Sequence, residues 1–235
     1  DLDSGDALKQ VTGSVTERFS KAVASYGDID KDNKNDIVFA NPNSESISIL
    51  LGSAIETYST QSDLITLTAD TLALENANAR YFGNQITIAG DVNGDGYDDI
   101  LIGGSKKTTD TTNTNGRAYL IFGQDSFNSL ENGNIATDSD IIFEGTSSTE
   151  FTGYSVDILP DINRDGYDEI IISSFDQNSQ VGHNVYLIYG SSSYSDKLSG
   201  STFDLSQADA IFSYSDTSTA INFGETVKGV GDLNG

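Results

Sequence analysis

The sequence predicts an all-β protein, a β-propeller of four-stranded antiparallel blades. Three observations predict it. A short acidic motif recurs with a period of roughly 65–70 residues, which calls for a repeat architecture. Each complete copy runs straight into a short apolar stretch rich in β-branched residues, which reads as a buried strand. Gly is frequent (23) and Pro rare (2) among 235 residues, and the apolar residues are grouped between turn signals. Many short strands joined by turns fit that grouping.

Aligned on the acidic motif, the units share an order of elements. An aromatic and a small residue come first, then a strand A: Phe19-Ser20 with 22–26, Phe82-Gly83 with 86–89, Phe151-Thr152-Gly153 with 155–159, and Phe223-Gly224 with 226–230. The motif comes next, then strand B at 36–40, 99–103 and 169–173. Strand B is apolar at consecutive positions, as expected of a strand covered on both faces. Strand C is expected at 46–52, 117–123 and 184–190, and strand D at 65–67, 141–144 and 210–213. Leu8 to Thr12 reads as a further D strand. Residues 1–235 are thus expected to form one propeller segment. Its three complete blades lie near 19–68, 82–145 and 151–214, with an outer strand in 1–13 and an inner strand in 223–235. Such an arc leaves two uncovered blade faces, so the rest of the propeller, in the same or another chain, is an expected partner.

The motif itself points to a cation. Asp91, Asn93, Asp95 and Asp99 stand at relative positions 1, 3, 5 and 9, with Gly96 at position 6. Oxygen ligands at alternate positions of a tight loop, with the carbonyl of position 7 (Tyr97), suit Ca²⁺. Glycine at position 6 accepts the positive φ of the turn. Asp161, Asn163, Asp165, Tyr167 and Glu169 repeat the pattern, as do Asp28, Asp30, Asp32, Lys34 and Asp36; Lys34 and Tyr167 take the carbonyl position. A fourth copy starts at Asp232. No helix-forming stretch comes after the loops and no Glu stands at position 12, so they join two strands and are not EF-hands.

Composition narrows the function. The formal net charge of −24 repels phosphate backbones and anionic lipid surfaces, which argues against nucleic acid as a partner. It also makes folding dependent on a counter-cation, since clustered carboxylates repel one another. There is no Cys, hence no disulfide or thiol chemistry. No apolar run is long enough for a membrane-spanning helix, and the opening residues are not expected to act as a signal peptide. Ca²⁺ modules that work at roughly 10⁻⁴–10⁻³ M belong outside the cytosol, so the expected location is extracellular or the cell surface.

Phe-Gly before strand A, Asp-x-Asn-x-Asp-Gly-Tyr-Asp-Asp in the loop and Ile-Gly-Gly after it resemble the FG-GAP repeat. This is the repeat of integrin α-subunit β-propellers and related bacterial surface proteins. The resemblance is closest in the middle unit and good in the third. It is looser in the first, where Asn33 replaces Gly and Phe39-Ala40-Asn41 replaces Gly-Ala-Pro. It implies a seven-bladed propeller with its Ca²⁺ loops opposite the usual ligand face, and carries the cation-binding positions onto the twelve Asp, Asn and Glu residues named above.

Other residues have plainer readings. His183, the only His, lacks a second His or Cys for a metal or catalytic role and reads as a solvated loop residue. In Asp98-Asp99 and Asp168-Glu169 the second member is expected to bind the cation and the first to face solvent. Tyr97 and Tyr167 are expected to cover their loops against a neighbouring blade. Tyr119, Tyr186 and Tyr189 read as core residues, and Lys106-Lys107 as a solvated tip. The polar loops 108–116, 173–182 and 190–201 are the places for ligand contact. The reading is a non-enzymatic Ca²⁺-binding module for adhesion or for a protein or glycan ligand. The propeller of a secreted polysaccharide-degrading enzyme and an architectural spacer are the alternatives.

Overall fold

The computed structural model describes residues 21–41, 46–54, 65–68, 82–104, 115–127, 130, 133–146, 151–175, 183–214 and 222–231. The expected D strand at 8–12, Lys106-Lys107, most of the 108–116 and 173–182 loops and the copy at Asp232 lie outside them.

Each unit folds as an antiparallel meander. The first is β1 (Val23–Ser25), β2 (Ile37–Asn41), β3 (Ser46–Leu50) and β4 (Ile65–Thr68), hydrogen-bonded in that order. The second is β5 (Phe82–Thr87), β6 (Ile100–Gly104), β7 (Arg117–Ile121) and, after β8 (Gly133–Asn134), β9 (Ile141–Glu144). The third is β10 (Thr152–Leu159), β11 (Glu169–Ser174), β12 (Asn184–Ile188) and, after β13 (Leu198–Ser199) and β14 (Thr202–Asp204), β15 (Ala210–Ser213). All four expected strands of each unit are therefore present, with ends shifted by a few residues.

Side-chain alternation explains the doubly apolar inner strands. Ile100 and Ile102 of β6, with Tyr119 and Ile121 of β7, join Val38, Ile47 and Ile49 in a core between the first and second sheets. Leu101, Ala118 and Leu120 point the other way, into a core with Val156, Ile170, Ile172 and Tyr186 of the third sheet. A period of two thus gives each sheet one apolar set per neighbour. Every one of these inner residues is buried, and a buried Leu or Ile contributes about 1.5–3 kcal/mol.

The Phe-Gly pair sits at a bulge. Phe82 pairs with Gly104, yet Ile86 pairs with Ile102, so β5 carries extra residues there; β10 repeats the shift between Thr152 and Val156. Gly83, Gly153 and Gly224 all have positive φ (66°, 80° and 78°). A Cβ on Gly153 would strike the backbone of Arg117 and Gly104, so glycine lets the third sheet approach the second at this corner.

Two expectations are corrected. Residues 226–230 form no strand. They lie along β10 through side chains instead: Val227 N donates to Ser155 Oγ (3.0 Å) and Gly229 N to Asp157 Oδ2 (2.6 Å), while Lys228 Nζ bonds Asp157 Oδ1 (2.8 Å). Among the described residues there is no subsequent strand B to pair with them. The 190–201 segment is not an open loop either. Tyr194 and Leu198 pack into the second core, and β13 turns into β14 as a hairpin whose turn holds Gly200 (φ 66°).

Candidate metal centre

The three acidic loops are the A–B connections, all at the same end of their sheets. Their internal hydrogen bonds explain why Asp and Asn are needed at alternate positions. In the middle loop Asp91 Oδ1 accepts from Gly94 N (2.6 Å) and Asp95 N (3.1 Å), and Asp91 Oδ2 accepts from Gly96 N (2.7 Å). Asn93 Oδ1 accepts from Asp95 N (2.9 Å), and Asp95 Oδ1 from Tyr97 N (3.0 Å). The third loop repeats each bond through Asp161, Asn163 and Asp165. Short polar side chains that bond their own backbone two to five residues on wind the chain into a tight turn.

The turn needs two left-handed residues. Position 6 is Asn33, Gly96 or Gly166 (φ 66°, 87° and 96°), as the spacing predicts. Position 4 is also left-handed, at Lys31, Gly94 and Arg164 (φ 59°, 76° and 64°). A Cβ on Gly94 would meet the ring of Tyr167 from the next loop, and Lys31 Nζ lies 5.0 Å from the centre of the Tyr97 ring. Both tyrosines therefore cover the loop of the preceding sheet.

Position 9 closes the loop from inside. Asp36 Oδ2 accepts from Ile29 N (2.7 Å) and Oδ1 from Gly52 N (2.6 Å). Asp99 does the same with Val92 N (2.8 Å) and Gly123 N (2.9 Å). Burial is the main reason their acidities weaken, with pKa raised to about 6 for Asp36 and about 8 for Asp99. Glu169 Oε2 accepts from Ile162 N (2.7 Å), but its Oε1 is buried and makes no hydrogen bond. Burial raises the pKa of Glu169 as well. Asp32 Oδ2 is likewise buried without a partner.

The residues fit a divalent cation. Oxygens of Asp28, Asp30 and Asp36 lie within 4.8 Å of one another, and so do those of Asp161, Asp165 and Glu169. A buried carboxylate oxygen without a donor is costly unless a positive charge meets it. Asp91, Asp95 and Asp99 do not gather in this way; Asn93 and Asp95 instead border a cleft of about 480 Å³ shared with Asp140, Ser191 and Tyr194. The site residues Lys34, Tyr97 and Tyr167 stand at the turn where a position-7 carbonyl would complete each set.

The first members of the acidic doublets do not face solvent. Asp98 Oδ2 accepts from Asp28 N of the preceding loop (2.8 Å), and Asp168 Oδ2 from Asp91 N (2.9 Å). Return bonds run from Asp98 N to Asp28 O (3.3 Å) and from Asp168 N to Asp91 O (3.0 Å). Each loop thus pins position 1 of its predecessor. The first loop has the exposed Asn35 at position 8. Aspartate at position 8 in both later copies was the signal available in the sequence, but its partner lies a whole repeat away. His183 is also not solvated. It is 7 % exposed, with its ring 4.8 Å from that of Phe175, which meets the Tyr154 ring edge to face.

Residues 82–121 match the FG-GAP repeat family. The match spans β5, the acidic loop, β6 and β7, and it accords with the all-β propeller architecture of the three sheets. FG-GAP repeats are often found in adhesion and surface proteins and often bind Ca²⁺, and the acidic groups here could hold such a metal. Among the described residues no helix is long and apolar enough to cross a membrane.

Proposed function

We propose that the chain is a Ca²⁺-binding β-propeller module of an extracellular or cell-surface protein, in which the metal is structural and the module serves adhesion or binding of a protein or glycan. The observation that carries the metal assignment is Glu169 Oε1, buried, unpartnered and grouped with Asp161 and Asp165. Asp28, Asp30, Asp32 and Asp36, with the carbonyl of Lys34, would hold one ion. Asp91, Asn93, Asp95, Asp99 and the carbonyl of Tyr97 would hold a second; Asp161, Asn163, Asp165, Glu169 and the carbonyl of Tyr167 a third. Bound Ca²⁺ supplies positive charge that offsets the mutual repulsion of these carboxylates. The protein's own part is to pre-shape the turns through the Asx bonds and to join consecutive loops through Asp98 and Asp168. Loops fixed in this way tie the A–B end of one sheet to that of the next.

The role proposed for the module is a non-enzymatic one. The proposed partner class is an extracellular protein or a glycan. Thermal unfolding in millimolar Ca²⁺ and in excess chelator tests the structural role. A melting temperature lower by at least about 5 °C in chelator is expected, since RT ln(1 + [L]/Kd) at several sites adds a few kcal/mol. Identical curves would contradict it.

A further inference from the structure

The segment between strands C and D clasps the preceding sheet. β8, from the second unit, pairs in parallel with β4 of the first, setting Gly133 opposite Leu67 and Asn134 opposite Thr68. β14, from the third unit, pairs in parallel with β9 of the second, setting Phe203 opposite Phe143 and Asp204 opposite Glu144. The register is the same in both, because β4 and β9 hold equivalent places on β3 and β7. The residues next in sequence match too. Asn134 Oδ1 caps Ala136 N (2.9 Å) and Asp204 Oδ1 caps Ser206 N (2.8 Å). One helical turn then buries Ile135 or Leu205 completely.

β15 is the equivalent edge of the third sheet, and among the described residues only β12 pairs with it. Its Ile211 and Phe212 correspond to Ile142 and Phe143 of β9, as their partners Tyr186 and Val185 correspond to Tyr119 and Ala118. Ile142 and Phe143 are 6 % and 0 % exposed, whereas Ile211 and Phe212 are 46 % and 51 % exposed. Ile142 N also donates to Ser201 O (2.8 Å) at the start of the clasp, and Phe203 packs against the Phe143 ring (5.4 Å between centres). An apolar edge strand with an open ladder is a template for another strand.

We infer that the outer edge of β15 receives, in parallel, the strand-and-turn segment of a following repeat, with an apolar residue opposite Phe212, an Asn or Asp cap opposite Ser213, and a buried Ile or Leu next in sequence. Residues 222–231 support that occupant, since they already lay the start of such a repeat along β10 through Ser155 and Asp157. Nothing in this pairing depends on the cation.

The test adds a synthetic peptide with the sequence of residues 198–208 to the full chain at millimolar concentration and monitors amide hydrogen exchange. Exchange at 211–213 should slow by at least about tenfold, with no change at β9, whose clasp is already in place. A peptide carrying D204A and L205D should leave exchange unchanged. No slowing at 211–213, equal slowing by the altered peptide, or slowing on raising the concentration of the chain alone would overturn the inference; the last would assign the edge to a second copy.

Discussion

In the loop at 161–169 a buried glutamate oxygen lacks any donor, while in the loop at 91–99 the corresponding aspartate spends both oxygens on backbone amides. The two loops share the same bonds from positions 1, 3 and 5 to their own backbone. One methylene makes the difference. Asp99 reaches Val92 N and Gly123 N, whereas Glu169 keeps the first of these bonds, to Ile162 N, and carries its second oxygen into the group formed by Asp161 and Asp165. One motif therefore yields two position-9 carboxyls: in the middle loop backbone amides meet both oxygens, and in the third loop one oxygen is left beside Asp161 and Asp165.

The largest expected effect comes from truncating position 9 in each loop. In chelator, Asp99→Ala leaves two buried amides without acceptors and should cost roughly 2–6 kcal/mol, at about 1–3 kcal/mol each. Glu169→Ala strands only the amide of the exposed Ile162 and also removes the unpartnered oxygen, so it should cost less than half as much. Urea midpoints measure both, and equal losses would remove the distinction between the loops.

A smaller effect is expected from pH. Burial raises Asp99 from 3.8 to about 8 and Asp36 from 3.8 to about 6. The native state thus holds protons that the unfolded chain releases. Metal-free stability is greatest at acid pH and falls as pH rises from about 4 through about 8, by no more than about 1.4 kcal/mol per pH unit for each group. Asp99→Asn should flatten the part of this slope above pH about 6, while Asp36→Asn should flatten the lower part. A slope that is unchanged in both variants would contradict the burial of these carboxyls.

The smallest effect concerns position 4. Arg164 holds φ at 64° where the middle loop has Gly94. Arg164→Gly should stabilise the third loop by up to about 1 kcal/mol, because glycine accepts this φ without a Cβ clash. Gly94→Ala should destabilise the middle loop by pushing on Tyr167. The melting temperatures check both signs.

How much of the molecule is legible in its sequence depends on the range of the interactions. Alternate Asp and Asn with Gly96 and Gly166 are a local pattern, and the turns form where that pattern stands. Doubly apolar strands such as Ile100 to Ile102 announce a sheet covered on both faces, and they lie between two cores. The left-handed position 4 is hidden because Lys31 and Arg164 carry side chains that rarely signal it. Asp98 and Asp168 bond partners a full repeat away, so their neighbours in sequence say nothing of the link. The clasps are missed because Gly133-Asn134 and Thr202-Phe203-Asp204 are too short to show alternation. His183 sits in a polar neighbourhood in sequence but meets Phe175 only once β11 and β12 pair.

Calorimetric titration of Ca²⁺ into the chain and into its Glu169→Gln variant tests the central claim most directly, since the unpartnered oxygen of Glu169 is what marks the third loop as a cation site. Saturable uptake is predicted, with affinities on the order of 10⁻⁴–10⁻³ M and one site fewer in the variant. No heat above dilution, or the same stoichiometry in both proteins, would contradict it.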